Sequence, residues 1–249
     1  MYLGLEAALW GGVAGLALLL GAAIGYFMTL PHKLVASVMA FGAGVLIAAL
    51  SFELMETAVH QGGLLASVLG FMFGVLIYSS ANAVLSIYGA KHRKRSRAGR
   101  SLGAQNTGVA IALGALIDGV PEAAAIGVSL LDGQGVATVT LLAIFLSNIP
   151  EGLSSSAGMR ASGKSAGFVF GLWLAITGIS AVAAWLGFSF LGQFGDAYVA
   201  FAMAVAAGAI LVMIIQTMIP EAFEDLHAIT GPIAATGFLT IFSLSELLG

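Results

Sequence analysis

The sequence predicts an all-α integral membrane protein of eight transmembrane helices, and three observations lead to this fold class. Of its 249 residues, 59% are hydrophobic and only 8% are charged, with a mean hydropathy of +1.04. A soluble domain carries about 25% charged residues. Apolar segments of about 20 residues, each long enough to cross a hydrocarbon layer of about 30 Å, recur along the chain. The 34 glycines are typical of membrane helices, because small residues let neighbouring helices approach closely.

Eight such segments form one predicted transmembrane domain over residues 1–249. In order they span residues 6–28, 35–58, 63–88, 106–130, 135–158, 165–191, 197–219 and 230–247. The first segment lacks a preceding basic stretch and a following small-residue cleavage site, so we expect a transmembrane helix there and not a signal peptide. Cysteine is absent, which excludes disulfide bonds and thiolate metal ligands.

The nine Lys and Arg residues predict the orientation of the segments. Lys33 follows the first segment, six basic residues occupy the predicted loop 89–105, and Arg160 and Lys164 follow the fifth segment. Eight crossings place all nine on one side, which the positive-inside rule makes cytoplasmic, with both termini outside. The loop's run KHRKRSRAGR also fits a patch for anionic lipid or nucleic acid. We interpret it as a topology determinant, expect no nucleic-acid partner, and predict a multi-pass protein of the cell (inner or plasma) membrane.

An internal repeat is visible in the second and seventh segments. They read FGAGVLIAALSFELMETA and VAAGAILVMIIQTMIPEA, and both open with small residues and end with a polar turn. Because the two segments cross in opposite directions, segments 1–3 and 6–8 are predicted to form an inverted pair around segments 4 and 5. This 3+2+3 arrangement is found in transporters, whose sites lie near the membrane midplane. Shared membrane composition is the alternative explanation.

Polar side chains lie beside proline in the middle of two apolar segments. The fourth segment contains DGVPEAAAIG and the fifth contains SNIPEGLSSS. Asp118 and Glu122 are four residues apart and therefore share one helix face, and Ser147 and Asn148 share a face with Glu151. Because adjacent segments run antiparallel, both sets are predicted to lie at similar depth and to face each other. Carboxylates inside a membrane are costly, so we interpret them as the functional centre.

Three Pro-Glu pairs add main-chain oxygens to this set. Pro121, Pro150 and Pro220 have no N–H group, so each leaves a carbonyl four residues earlier without its helical donor. Gln216 and Thr217 could complete the site from a third helix. Carboxylate, amide, hydroxyl and carbonyl oxygens together predict a cation site, in which a divalent ion relieves the repulsion between the acids. The alternative is a set of interhelical hydrogen bonds made by protonated acids.

Three further carboxylates lie towards the ends of the segments. Glu53 and Glu56 are near the predicted outer end of the second segment, and Glu221 follows the seventh on the predicted cytoplasmic side. They are predicted either to form an entrance or exit relay for the ion or to reach the aqueous boundary.

These motifs resemble a known family. DGVPEAAAIG, SNIPEGLSSSAGM and AAGAILVMIIQTMIPEA resemble the fourth, fifth and seventh helices of the ZIP family of divalent metal transporters, and FGAGVLIAALSFELMETA resembles its second helix. The predicted spans, the outward termini and the basic loop agree, so the resemblance covers nearly the whole chain. In the fourth helix the family usually reads His-Asn-x-Pro-Glu-Gly, with metal ligands at His, Asn and Glu. Here Asp118 and Gly119 replace the first two, and Glu122 is kept.

The fifth and seventh helices also depart from the family pattern. Before x-Pro-Glu in the fifth helix, Ser147 and Asn148 stand where the family has His or Gln and then Glu, Asp or Asn. In the seventh, Thr217, beside Gln216, replaces a common Glu. No histidine remains in the predicted membrane interior, so we expect one ion site rather than the family's paired site. Imidazole suits zinc, and oxygen ligands suit harder ions. The predicted substrate is zinc, then manganese, iron or cadmium, with no organic cofactor.

The resemblance implies uptake into the cytoplasm by elevator-type alternating access, with helices 1, 4, 5 and 6 moving together, and it implies a homodimer in the lipid bilayer. We expect glycine-rich faces such as GGVAGLALLLGAAIG to form the sliding surface. One alternative is a transport-inactive member of the same fold that binds metal as a sensor or scaffold. An intramembrane enzyme with a carboxylate pair as acid and base is the other. We predict that the chain is not an enzyme, since it lacks Cys and a membrane-embedded His.

Overall fold

The computed structural model describes residues 2–87, 107–132, 138–191 and 193–248. Within these ranges the side chains of residues 85–87, 107–113, 115 and 118, and of a few at the helix ends, lie outside the description. The predicted basic loop 89–105 and the side chain of Asp118 therefore lie outside it as well. All regular elements of the described ranges are helical, which confirms the all-α class.

Nine α-helices lie in the described ranges, of which α8 corresponds to none of the eight predicted segments, and α2 and α7 end before the second and seventh segments do. They are α1 Tyr2–Phe27, α2 His32–Ala49, α3 Glu56–Ile87, α4 Thr107–Ser129, α5 Thr138–Ala161, α6 Ala166–Leu191, α7 Asp196–Met213, α8 Ile219–Leu226 and α9 Thr230–Leu248. A single 3₁₀ turn follows α4 at Leu130–Asp132, and another joins α8 to α9 at His227–Ile229.

Two π-helical turns interrupt the chain at corresponding places. One, Leu50–Met55, follows the 18-residue α2, and the other, Ile214–Met218, follows the 18-residue α7. Thirteen residues after the start of each turn comes a residue with a left-handed backbone, Gly63 with φ 82° and His227 with φ 49°. This conformation breaks a helix, and it is costly for a residue that carries a Cβ.

Four helical stretches of the described residues are long and apolar enough to cross a membrane. They are Leu3–Phe27, His32–Val84, Ala166–Leu191 and Asp196–Leu247. The second and fourth are 53 and 52 residues long, more than twice the roughly 20 residues that one crossing needs. The break at Gly63 lies inside the second stretch, and the break at His227 lies inside the fourth.

The helices pack as two groups. Helices α1, α4, α5 and α6 pack on one another and are called the α4–α5 group; helices α2, α3, α7, α8 and α9 form the α2–α7 group. In the second group α2 packs on α9, and α7 packs on α3. The groups meet mainly where α2 contacts α5 and where α4 contacts α7. The two Pro-Glu helices therefore belong to one group and border the other.

Glycine allows backbone contact inside the α4–α5 group. A Cβ at Gly25 of α1 would lie 2.1 Å from the carbonyl oxygen of Leu153 in α5, and a Cβ at Gly152 would lie 2.2 Å from that of Leu18. These distances are far below van der Waals contact, so only glycine fits there. The glycine-rich face of α1 is thus buried against α5 and α6 of its own group. The described glycines of this face therefore pack inside the α4–α5 group, and a sliding surface there stays a prediction.

Close backbone contacts at glycine also occur inside the α2–α7 group. A Cβ at Gly44 of α2 would lie 1.8 Å from the carbonyl oxygen of Ala234 in α9, and a Cβ at Gly208 of α7 would lie 2.2 Å from that of Phe71 in α3. The eleven buried positions of α2 recur, 164 residues later, as the eleven buried positions of α7. Each of these two helices therefore buries the same pattern of positions.

The boundary between the groups is packed differently. At Gly42 of α2, a Cβ would meet Cγ of Pro150 in α5 at 3.1 Å and Cε of Met218 at 3.5 Å. Among the described glycines, each one whose Cβ would come within 3.0 Å of a backbone atom makes that contact within its own group. Across the boundary, a Cβ at Gly42 would also meet Cα of Ser147 in α5 at 3.5 Å, so the backbones of α2 and α5 approach there less closely than the backbones inside either group.

Candidate metal site

The two Pro-Glu helices each bury a carboxylate. Glu122 of α4 is 1% exposed and Glu151 of α5 is 5% exposed, and the two helices contact each other within the α4–α5 group. Asp118 lies in α4 one turn before Glu122, with its side chain outside the description. A buried carboxylate is strongly disfavoured in apolar surroundings unless a charge or hydrogen bond compensates it. These two acids are therefore candidates for a cation site.

Proline leaves main-chain oxygens beside these acids. Helices α4 and α5 continue through Pro121 and Pro150, so the loss of the proline N–H is absorbed without ending either helix. The carbonyls of Ile117 and Leu146 consequently lack the donor four residues later. The predicted main-chain ligands thus lie one turn before Glu122 and Glu151.

Two polar side chains of α5 are held in place near Glu151. Asn148 is 5% exposed, and its Nδ2 donates to the carbonyl oxygen of Ala14 in α1 at 3.0 Å. Ser147 is 2% exposed, and its Oγ donates to the carbonyl oxygen of Ile144 at 2.9 Å. Both side chains use a donor in these bonds. Their oxygens, Oδ1 of Asn148 and Oγ of Ser147, keep lone pairs that can bind a cation.

The predicted contribution of a third helix takes a different form. Gln216, in the π-helical turn after α7, is exposed, and its Oε1 accepts a hydrogen bond from Nδ2 of Asn82 in α3 at 2.7 Å. This bond orients Gln216 towards α3. Thr217 is half-buried. The participation of Gln216 and Thr217 in the site stays a prediction.

The two acids near the end of the second predicted segment lie in different surroundings. Glu53 is half-buried in the first π-helical turn, and its Oε1 accepts a hydrogen bond from Oγ of Ser245 in α9 at 2.6 Å. Glu56 is exposed, with its Oε1 3.9 Å from Nε2 of His60. Glu53 thus ties its turn to α9, and Glu56 lies at the surface. A relay role for either one stays a prediction.

A contact that the sequence analysis did not single out joins the two groups. Ser154 of α5 is fully buried, and its Oγ donates a hydrogen bond to Oε1 of Glu221 in α8. Ser154 lies three residues after Glu151, so both are on one face of α5. The three-residue spacing from Glu151 could have identified Ser154 as a candidate site residue. The sequence does not indicate that Glu221 is its hydrogen-bond partner.

The donor set consists of oxygens. The described histidines His32, His60 and His227 are exposed, so they lie outside the buried centre. Among the described side chains, which leave out Asp118, no group of three or more His, Cys, Asp or Glu is close enough to hold a metal ion. A metal site here would therefore need oxygen donors of several kinds. These are two described carboxylates together with amide, hydroxyl and main-chain oxygens.

The described basic residues lie at one end of the molecule. A cavity of about 370 Å³ is lined by Gly25 at the end of α1, His32 at the start of α2 and Arg160 at the end of α5. Lys33 follows His32, and the carbonyl oxygen of Lys164 accepts a hydrogen bond from Oη of Tyr26 at 3.1 Å. Lys33, Arg160 and Lys164 are thus gathered at the same end.

Comparison with known proteins supports the resemblance seen in the sequence. No family model matches the chain. Over 235 residues, which are 92% of this chain, it is 28% identical to a protein of Arabidopsis thaliana described as a "Putative zinc transporter". The matched region is 36% of that protein, so the chain spans about a third of its length. This similarity agrees with the resemblance of the chain's motifs to those of the ZIP family.

Proposed function

We propose that this chain, as a divergent member of the ZIP family of divalent metal transporters, carries divalent cations into the cytoplasm through a site on α4 and α5. This proposal rests on the burial of Glu122 and Glu151 on two contacting helices of an apolar, all-helical chain. Zinc is the first substrate, with manganese and iron next. The similarity to a protein described as a zinc transporter supports the substrate class.

The proposed topology has eight spans in a 3+2+3 inverted arrangement. Helices α1 to α3 form one repeat, and α6 to α9 form the other. The equal spacing of the two π-helical turns and of the breaks at Gly63 and His227 supports this arrangement. So does the common burial pattern of α2 and α7. The clustered basic residues support a cytoplasmic position for that end and an outer position for both termini.

In the proposed mechanism a divalent cation neutralises the buried acids at mid-depth. Ionised Asp118, Glu122 and Glu151 would repel one another, and a doubly charged ion, or protons in its place, removes this repulsion. The α4–α5 group then moves as a unit against the α2–α7 group and exposes the site to each side in turn. Support comes from the glycine-mediated backbone contacts, because among the described glycines each such contact below 3.0 Å lies within one group.

Flux measurements test the function directly. The purified chain is reconstituted into proteoliposomes, and uptake of Zn²⁺, Mn²⁺, Fe²⁺, Cd²⁺ and Mg²⁺ is measured side by side against protein-free vesicles. We expect uptake of Zn²⁺ above the background, with Mn²⁺ or Fe²⁺ next. Metal binding by the purified protein without any uptake would instead favour the transport-inactive sensor or scaffold.

The substitution Asp118→His should raise the preference for zinc. In this chain Asp118 occupies the position where the family has a histidine, and imidazole favours Zn²⁺ over Mn²⁺ more than carboxylate does. We expect the ratio of Zn²⁺ to Mn²⁺ uptake to rise about tenfold, the effect of roughly 1.4 kcal/mol of differential binding. Competition uptake with both ions in one assay measures the ratio. An unchanged ratio, in a variant that still transports, would remove Asp118 from the ligand set.

Relative motion of the two groups predicts that a link between them stops transport. The chain contains no cysteine, so pairs can be introduced without altering native thiols. His32 of α2 and Ala161 of α5 line the same cavity and are exposed, and they belong to different groups. We expect His32→Cys with Ala161→Cys to lose uptake when joined by a short bifunctional thiol reagent and to keep it before linking.

A pair inside one group provides the matched control. A Cβ at Gly12 of α1 would lie 3.8 Å from Cβ of Ala181 in α6, which suits a disulfide. Oxidised Gly12→Cys with Ala181→Cys should keep transporting, because both helices move together. Full uptake by the linked His32 and Ala161 pair would contradict motion between the groups.

A further inference from the structure

We propose that Ser154 and Glu221 form a second cation station, the first step inward from the central site, with one oxygen donor from each helix group. The station rests on the proposed transport function and assigns the residues that receive the ion when it leaves Glu151. Its ligand class is a divalent cation bound by a hydroxyl and a carboxylate, both of them hard oxygen donors.

The position of Ser154 along α5 places it on the ion's way. Ser154 lies three residues after Glu151, a rise of about 4.5 Å along the helix axis, and on the same face of α5. In the proposed topology α5 runs from the outside to the cytoplasm and ends near the basic residue Arg160. Ser154 is fully buried, so its hydroxyl is within the protein and beyond Glu151 on the inward side.

The carboxylate of this pair comes from the other group. Glu221 follows Pro220 in the first turn of α8 and is half-buried. Oγ of Ser154 donates to its Oε1, so the two oxygens approach within hydrogen-bonding distance across the group boundary. Pro220 also deprives the carbonyl of Gln216 of its helical donor. A cation that enters this point therefore meets a negative charge and further oxygens one step from Glu151.

Comparison of the two Pro-Glu helices indicates on which side of the central site the station lies. Counted from the Pro-Glu pair, Ser154 of α5 corresponds to Ala125 of α4, and the next residue, Ser155, corresponds to Ile126. Ala125 and Ile126 are buried and apolar, whereas Ser154 and Ser155 are buried and polar. In the proposed topology this part of α4 leads outward and this part of α5 leads inward. The hydroxyl donors thus extend the central site on the inward side.

The location at the boundary also provides a means of release. Ser154 belongs to the group that moves in the proposed mechanism, and Glu221 belongs to the other group. When the groups shift, the hydroxyl and the carboxylate separate, and an ion held by both loses one of its donors. A station of this kind would hold an ion in one position of the groups and weaken its binding in the other.

Two substitutions test the station, each with a matched control. Glu221→Gln removes the charge and keeps the shape, and Glu224→Gln removes an equal charge from an exposed residue of the same helix. Ser154→Ala removes the hydroxyl, and Ser154→Thr keeps one. Equilibrium binding of Zn²⁺ to the purified protein gives the number of bound ions and their Kd. Uptake into proteoliposomes gives the maximum rate and KM.

We expect the wild type to bind a tight and a weaker Zn²⁺. Glu221→Gln and Ser154→Ala should lose the weaker ion, keep the tight Kd, and lower the maximum uptake rate about tenfold, as the loss of one oxygen contact to a charge suggests. Glu224→Gln should match the wild type, and Ser154→Thr, which keeps a hydroxyl, should keep the weaker ion. The split between a reduced rate and an unchanged tight Kd separates a station from general damage to the protein.

Other results would overturn the station. Wild-type stoichiometry in Ser154→Ala and Glu221→Gln would exclude it, and if the uptake rate changed nonetheless, the contact would be a structural link only. If Glu221→Gln does not fold, Ser154→Ala decides alone, since it removes only the hydroxyl of Ser154. If the wild type takes up no metal, the transport function fails, and the binding stoichiometry still tests the second ion.

Discussion

Exchange of Glu151 for Gln is expected to reduce divalent cation uptake in proteoliposomes by about a hundredfold. Its carboxylate is 5% exposed, and removing one partner of a buried charged interaction costs about 3 kcal/mol, which corresponds to roughly two powers of ten in affinity. Glu122→Gln should have a similar effect, because Glu122 is 1% exposed on the contacting helix α4. Initial uptake rates over a range of Zn²⁺ concentrations measure both losses.

The same substitutions should leave the protein as stable as the wild type when no metal is added. Two buried carboxylates cost free energy through desolvation and mutual repulsion, and a neutral amide of the same shape avoids this cost. We therefore expect the Tm in detergent to stay constant or rise. Unchanged stability with lost transport is typical of a functional residue.

The control for this pair is Glu246→Gln, which changes an exposed carboxylate near the end of α9 and should alter neither uptake nor Tm. A Glu151→Gln protein that folds, inserts and takes up Zn²⁺ at the wild-type rate would refute the central site. A large loss of Tm in Glu122→Gln would instead indicate that the carboxylate holds the fold together.

The helices themselves were predictable because hydropathy is a direct signal of structure in a membrane. A chain in hydrocarbon must satisfy its own backbone hydrogen bonds, so an apolar segment of sufficient length is helical. The segment predicted at 165–191 corresponds to α6, Ala166–Leu191. The π-helical turn at Leu50–Met55 was not predictable, since no proline or glycine marks it.

The candidate site was predictable to the extent that it lies on single helices. The four-residue and three-residue spacings before Glu151 predict a common face for Ser147, Asn148 and Glu151. All three are buried, as are most residues of α5, and their role in a cation site stays a prediction. The hydrogen-bond partners on other helices could not be predicted from the sequence. The bond from Asn148 to Ala14 depends on the packing of α5 on α1, and helix periodicity contains no information about which helices become neighbours.

Insertion of a single methyl group at Gly25 is expected to destabilise the protein more than any exposed substitution. In Gly25→Ala the new Cβ would lie 2.1 Å from the carbonyl oxygen of Leu153, so α1 and α5 must move apart. Overpacking of this kind costs about 3 kcal/mol, which lowers Tm by roughly 6–12 °C in a chain of this size. Thermal unfolding in detergent, together with size-exclusion chromatography, measures the effect.

The same substitution at Gly171 of α6 is expected to have the opposite effect on Tm. A Cβ there would meet nothing within 4 Å, and alanine favours a helix over glycine by up to about 1 kcal/mol, so Gly171→Ala should hold or raise the Tm. Because Leu153 lies between Glu151 and Ser154 in α5, the shift forced by Gly25→Ala should also weaken Zn²⁺ binding, whereas Gly171→Ala should not. Equal Tm values for the two variants would show that α1 and α5 can separate freely, and would remove the rigid α4–α5 group on which the proposed motion depends.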